Sequence, residues 1–404
     1  MKQGIHLFRY YMYTMFILLC MTSCYWFNQS HGHLYDRTVL VYIAAENSIA
    51  SYAQDDINEM LRAAEDIPSN SRLIVYVDDT KYPRILSIER PKDDESGQKV
   101  LLEYSTEQDS GDPETLHEVM EWTTQKFPSN SYGLVLWSHG DAWLPAKAPL
   151  QRSFGIDNNQ NTDKKDLGSK MNIADVADAL ATFPKFEFIL FDACFMQSVE
   201  VAYDLRHVTK TIVASPAEIP GPGAPYHRIV KPMLASPFDA TQIAEEYYQE
   251  YIDENREGEA KYHGALISTI DCGYLDELAS ATAQMITKYV FKESNFDLDD
   301  VQHYCHKPNE SRPSYYDMND YMHHLITNDT DYNHWKSIFD KAVVYAKATP
   351  WWYSIYSGRE YADHETYSGV SCYVPQNTQT NTELNTHFQS TSWYHAAGWK
   401  HVGW

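Results

Sequence analysis

Tyr132-Gly-Leu-Val-Leu-Trp-Ser-His139-Gly140 and Phe186-Glu-Phe-Ile-Leu-Phe-Asp192-Ala193-Cys194 are two apolar runs that each end in a reactive side chain. Short apolar runs with little alternation are the pattern of strands buried on both faces of a parallel sheet. In open α/β sheets, chemistry collects at the carboxyl ends of strands. A thiol and an imidazole delivered there from two strands are the parts of a cysteine nucleophile and its proton-transfer partner. Taken alone, His139 reads better as a satisfied core histidine; Cys194 at the end of the second strand is what favours catalysis.

The flanking sequence supports the sheet. Thr38–Ile43 and Arg72–Val77 read as strands, with a helix over Ser51–Ala64 between them. Ile85–Glu89 and Val100–Tyr104 read as a hairpin, and Pro113–Lys126 as a helix with proline near its start. Residues 141–170 form a long polar loop, a length that inside a compact domain is usually functional. Asn172 is placed to cap a helix to Ala181, and a further helix, Ser198–Leu205, and strand, Lys210–Ala214, follow the cysteine. Ser215–Tyr226, rich in Pro and Gly, reads as a binding loop. Strand–helix alternation through 38–215 implies a parallel sheet with crossover helices. Beyond 228 the pattern turns helical, over 238–255, 273–292, 315–327 and 332–347, with strands at Gly264–Ile270 and Gly369–Val374 that are expected to extend the sheet.

Composition narrows the function. A formal charge of −24 over 404 residues argues against nucleic acid, which needs Lys/Arg stripes, and against electrostatic adhesion to anionic lipid. Lys2 and Arg9 precede the apolar stretch 10–21, which is too short to span a bilayer as a helix. Met21-Thr-Ser-Cys24 then resembles a bacterial lipoprotein signal, with Met where Leu is usual and Cys24 as the lipidated mature N-terminus. The expected organisation is a signal over 1–24, a tether over 25–37, a catalytic α/β domain over 38–228 and a helical part with added strands over 229–404. Of the remaining cysteines, Cys272 could pair with Cys305 or Cys372, or all three could be buried free thiols. No CxxC pair supports a zinc ribbon or a dithiol redox site.

The ordered motifs resemble the clostripain family of cysteine peptidases, related in fold to caspases. Val39–Asn47 with Asp55–Met60 resembles its opening strand and helix, Leu136–Gly140 its histidine motif, and Phe191–Met196 its nucleophile motif. Arg152–Gly155, Ser215–Tyr226, Tyr316–Asp320 and Ser368–Pro375 resemble later landmarks. The resemblance implies a caspase-like, mostly parallel central sheet flanked by helices. It implies that Cys194 attacks the scissile carbonyl, that His139 protonates the leaving amine, and that the N–H groups of Gly140 and Cys194 hold the oxyanion. Asp192, two residues before the nucleophile, would select Arg or Lys at the cut, because an unpaired buried charge is costly without its cation; otherwise it braces the strand end. Family members also mature by cutting themselves in the long loop, which makes Lys147 and Arg152 candidate sites. No cofactor is required; calcium, an ion some family members use, is conceivable at Asp297-Leu-Asp-Asp300, although these lack the spacing of a calcium loop. His323, His324 and His334 read as solvated rather than as metal ligands. Trp351, Trp352, Tyr353 and Tyr356 read as core packing more than as a glycan or peptide groove.

The expected protein is an exported, lipid-anchored, monomeric endopeptidase of the bacterial envelope, meeting the membrane only through its lipid and acting on peptides or proteins. The competing reading is a silent lipoprotein that uses the same fold to bind a partner.

Overall fold

The structure is a computed structural model that describes residues 34–404, without 92–96, 145–152, 160–165, 255–263, 291–296, 306–313, 356–357, 362–364 and 379–380. Cys24 and its signal, Lys147, Arg152 and Tyr356 therefore lie outside the described residues. Among these residues, no helix is long and apolar enough to cross a membrane.

Nine strands form the central sheet. In chain order they are β1 (Tyr35–Ala44), β2 (Ser71–Asp78), β3 (Arg84–Ile88), β4 (Gln98–Glu103), β5 (Ser129–Trp137), β8 (Phe186–Asp192), β9 (Thr209–Ala214), β10 (Leu266–Asp271) and β12 (Val343–Ala348). Across the sheet they run β12-β10-β9-β8-β5-β1-β2-β3-β4. The five central strands are parallel, and antiparallel pairs close both flanks. The order reverses at β1, with β2 on one side and β5 on the other, so a switch-point crevice opens at their carboxyl ends.

Alternation along β1 shows why the sheet is a central layer. Leu40, Tyr42 and Ala44 enter one apolar cluster, and Val39, Val41 and Ile43 enter the other. Helices α1 (Ala50–Arg62), α5 (Tyr226–Met233) and α6 (Ala240–Glu254) cover the second face. On the first lie α2 (Pro113–Lys126), α3 (Ile173–Leu180), α4 (Val199–Leu205), α7 (Leu275–Tyr289), α8 (Met318–Leu325) and α9 (Asp329–Ala342). The short helices α10 (Asn381–Phe388) and α11 (Ser392–Ala396) complete this layer.

Several boundaries differ from the sequence reading. β1 takes in Tyr35–Arg37, the end of the expected tether, because the Arg37 guanidinium donates to the carbonyls of Met233 and Ala235. The helix expected to run to 347 stops at Ala342, and Val343–Ala348 pairs antiparallel with β10 as an edge strand. The strand expected at Gly369–Val374 does not extend the main sheet. Only Ser371–Cys372 (β15) is extended, and it pairs with Tyr316–Asp317 (β11). Asp317 starts α8 there by accepting the Asp320 N–H. The long loop holds a hairpin, β6 (Phe154–Asp157) with β7 (Ser169–Met171), bridged to Gly140. Trp351–Ser354 (β13) and Gly358–Tyr361 (β14) make another, with Trp352 buried. Cys272, Cys305 and Cys372 are buried, and no disulfide joins any two of them. Asp297–Asp300 is an exposed turn closed by the Asp297 side chain on the Asp299 N–H.

β5 and β8 meet through a glycine. The Phe188 ring lies over Gly133, where a Cβ would stand 2.3 Å from Phe188 Cε1. Gly133→Ala is expected to cost about 1–3 kcal/mol by overpacking, measured as a lower urea midpoint at an unchanged slope.

Candidate active site

Register brings the two motifs abreast. Trp137 pairs with Asp192, so His139 and Cys194 each stand two residues beyond the same rung of the β5–β8 ladder. The strand ends touch: a Cβ on Gly140 would stand 2.8 Å from both the Cys194 carbonyl oxygen and Met196 Sδ. Glycine is needed at 140 for this approach. The Gly140–Phe154 bridge is bonded through its neighbours, from Gly155 N–H to the His139 carbonyl (3.1 Å) and from Asp141 N–H to the Ser153 carbonyl (2.9 Å). The Gly140 N–H is thus not used by that bridge.

The side chain of His139 is mostly buried. Its Nε2 lies 2.9 Å from Ser48 Oγ and 3.6 Å from Asp166 Oδ2. The Ser48 hydroxyl donates to Asp166 Oδ2 at 2.5 Å, and the Ser48 N–H donates to Oδ1 at 2.9 Å. With its single proton given to Asp166, that hydroxyl accepts from Nε2–H. The ring is then the tautomer whose basic nitrogen is Nδ1. Asp166 is built for this position, at a positive φ of 64° in the long loop. Ser48 follows β1 through Asn47, whose amide donates to the Ala44 and Ile156 carbonyls, both at 2.9 Å. Sequence reasoning named no orienting group for His139. The signal was the length of the 141–170 loop, which does not single out Asp166.

Cys194 is half-buried, and its Sγ accepts the Ile219 N–H at 3.4 Å. The next residue, Phe195, holds φ at +64°, a region costly for a bulky side chain and found mainly where function requires it. Its N–H donates to the Ala217 carbonyl at 2.9 Å, and its ring stacks on Tyr315 at 4.5 Å. The Tyr315 hydroxyl in turn donates to the Asp141 carboxylate. The nucleophile turn is therefore held by the binding loop on one side and by the C-terminal part on the other.

Asp192 is buried beneath the Ser215–Tyr226 loop. It accepts the Ala224 N–H and the Tyr226 hydroxyl, each at 3.0 Å. The turn comes this close because residue 223 is glycine; at its φ of +64° a Cβ would lie 2.7 Å from Asp192 Oδ1. A second carboxylate, Asp56 of α1, is buried nearby and accepts the Trp137 indole N–H at 2.7 Å. Burial pushes both carboxyls above the usual range, and the Asp192 charge raises Asp56 further. Asp56 sits in the quoted Asp55–Met60 motif, yet nothing in that pattern distinguished it from solvated helix acids. His323 packs on the Tyr332 ring, and His324 lies 3.8 Å from Asp320. Among the described residues, four carboxylates gather elsewhere, Glu46, Asp78, Glu107 and Asp157.

A model of the clostripain family matches residues 41–404. Clostripain of Hathewaya histolytica is 29% identical over 217 residues, which span 48% of this chain and 41% of that protein. The matched region is thus under half of that relative's length. Among solved structures, a secreted C11 cysteine protease from Bacteroides thetaiotaomicron, in complex with an irreversible peptide inhibitor, matches at TM-score 0.78 and 32% identity. That match covers 91% of this chain and 100% of the other. An inactive zymogen C11 protease from Parabacteroides distasonis matches at TM-score 0.75 and 30% identity, over 90% of this chain and 98% of the other. With both strand-end motifs and the C-terminal part inside the residues that the family model matches, the chain belongs to the clostripain family of C11 cysteine proteases and has their caspase-like fold.

Proposed function

We propose that the protein is an exported cysteine endopeptidase that cuts after Arg or Lys. The observation that carries this reading is the buried pair of Asp192, at the carboxyl end of the strand that leads to the cysteine, and Asp56 of α1. Two carboxylates held out of water are costly, and a guanidinium or ammonium seated between the loop and α1 would offset that cost. Specificity then follows from the repulsive side too, since a neutral or acidic residue leaves the pair uncompensated.

The reaction divides among the chain's own groups. The Cys194 thiol passes its proton to Nδ1 of His139 and, as the thiolate, attacks the scissile carbonyl carbon. The N–H groups of Gly140 and Cys194 receive the oxyanion, an interaction often worth several kcal/mol (roughly 2.7–4 for one donor). His139, its ring fixed through Nε2 by Ser48 and Asp166, gives the proton from Nδ1 to the departing amine. A thioester on Cys194 remains. Water, losing its proton to His139, attacks the thioester and frees the enzyme. Ser48 and Asp166 are positioning residues in this scheme.

Self-cleavage at Lys147 or Arg152 follows from the same specificity, as both are basic residues of the 141–170 loop. Export is supported by the N-terminal apolar stretch 10–21 that precedes Cys24 and by the relative described as secreted. Lipid on Cys24 would hold the mature enzyme at the envelope, and its substrates would be peptides or proteins there.

Fluorogenic peptides ending in Arg, Lys, Asp or Leu test the proposal. Thiol-dependent cleavage after Arg or Lys is expected, and Cys194→Ala is expected to abolish it and to remain a single chain. Cleavage confined to Asp or Leu would overturn the specificity, and cleavage that persists in Cys194→Ala would overturn the nucleophile. Asp166→Asn is expected to lower kcat at least about tenfold, roughly 1.4 kcal/mol of barrier, with little change in KM. Agmatine, a non-covalent mimic of the arginine side chain, is expected to bind more tightly as pH rises. The raised Asp192 carboxyl is neutral at lower pH and becomes the anion a guanidinium needs as pH increases. In Asp192→Asn the affinity, measured by competition with substrate, is expected to be weak and flat with pH.

A further inference from the structure

The direction in which a substrate crosses the site follows from the catalytic reading above. His139 gives its proton to the departing amine, so the residues after the cut leave past His139, Ser48 and Asp166. The residues before the cut then lie over the Ser215–Tyr226 loop. Phe195 N–H and Gln197 N–H donate to the carbonyls of Ala217 (2.9 Å) and Ser215 (3.0 Å). These bonds lay the start of the loop antiparallel to the nucleophile turn, and the Ile219 N–H reaches Cys194 Sγ at 3.4 Å.

A second element reaches this loop from the C-terminal part. Glu218, next to Ile219, is buried, and its carboxylate accepts the Ile355 N–H at 2.8 Å. Ile355 directly follows β13, which is anchored by the buried Trp352 and by the Thr349 hydroxyl, a donor to the Trp351 carbonyl at 2.6 Å. The Ile355 side chain nevertheless stands 66% exposed, and Ile219 is half-buried. A single exposed aliphatic side chain needs no explanation by itself. Val100 and Val344 are exposed too, but on β4 and β12, the two edges of the main sheet. Ile355 is instead fixed through its own backbone to a buried carboxylate, one residue from the N–H that meets the nucleophile. Burying that carboxylate carries a desolvation cost, which the bond from Ile355 helps offset.

Successive side chains of an extended peptide point to opposite faces. The residue before the cut points toward Asp192 beneath the loop, so its predecessor points to the rim, where Ile355 stands. We propose that Ile355 and Ile219 form an apolar subsite for the second residue before the cut. The enzyme then reads an aliphatic or aromatic side chain there, together with the Arg or Lys that follows it. Glu218 is the positioning residue: it ties the β13–β14 hairpin to the loop, so that each contributes one wall of the subsite. Trp352, read from the sequence as core packing, serves as the anchor, and the contact with substrate falls to the aliphatic residue at the end of its strand.

Fluorogenic peptides that share the residue after which the enzyme cuts, and differ only in the residue before it, provide the test. Leu or Phe at that second position is expected to give kcat/KM about tenfold above Gly, the effect of partly burying such a side chain. In Ile355→Ser the ratio is expected to fall to about threefold or less, because half of the apolar wall is gone. Ile355→Glu is expected to move the preference to Lys at the same position. The ratio is read within each protein, so a general loss of activity does not imitate the effect. Val344→Ser, another exposed aliphatic position, is expected to keep the wild-type ratio. Glu218→Ala is expected to lose the preference, and Glu218→Gln, which keeps an acceptor for the Ile355 N–H, to retain it. No preference at the second residue in the wild type, or an unchanged ratio in both Ile355 variants, would overturn the subsite. A preference found only at the third residue before the cut would overturn its position. If cleavage falls after a residue other than Arg or Lys, the series is run on that residue. The role given to Asp192 then fails, while the subsite is judged on the same ratios.

Discussion

The close approach of the β5 and β8 ends is the constraint on which the rest of the site depends. Gly133 beneath Phe188 sets the strand pair, and Gly140 against the Cys194 carbonyl sets its end. With these contacts fixed, the Trp137–Asp192 rung places imidazole and thiol at matching heights. Neither residue needs a long-range contact with the other in the free enzyme. The sheet holds their separation, and groups from β1, the 141–170 loop and the Ser215–Tyr226 loop then adjust orientation. A side chain added at either glycine would act on both functional groups together.

Polar burial at this end of the sheet is uneven in a way that suits its proposed use. Asp192 and Asp56 keep hydrogen bonds from Ala224, Tyr226 and Trp137, yet burial still raises both carboxyls. Asp78 is fully buried, and burial raises its carboxyl too. Both regions hold carboxyls in low-dielectric surroundings, where ionisation is costly without a cation nearby. A protein with a formal charge of −24 gathers such cations readily by long-range attraction, an effect that fades as salt is added.

The central strands and most helices were legible in the sequence because each has a strong pattern. α2 begins and ends at Pro113 and Lys126 as read, since Asp112 caps it and proline occupies its first position. β5 and β8 were plain as apolar runs of the length expected for buried strands. The misreadings fall where local pattern and tertiary context part. Val343–Ala348 carries helix formers such as Ala346 and Lys347, yet it lies on the open edge of β10 and pairs there. α5 escaped notice because Pro232 interrupts it. His139, Cys194 and Asp192 were legible as strand-end residues, whereas Ser48, Asp166 and Asp56 were not. Their importance arises from convergence of segments far apart in the chain, Ser48 with Asp166 across 118 residues and Trp137 with Asp56 across 81.

The strand order carries a consequence for any break in the chain between β5 and β6. β5 lies between β1, which precedes it, and β8, which follows it. A polypeptide severed after β5 and before β6 would keep the amino-terminal fragment zipped to the carboxy-terminal one by the full β5–β8 ladder. Phe188 over Gly133 and Gly140 under Met196 would add side-chain contacts across the join. The two fragments would behave as a permanent heterodimer with an interface as dry as a domain core. They would come apart only when the sheet itself melts, so scission would alter the freedom of the severed loop without altering the assembly.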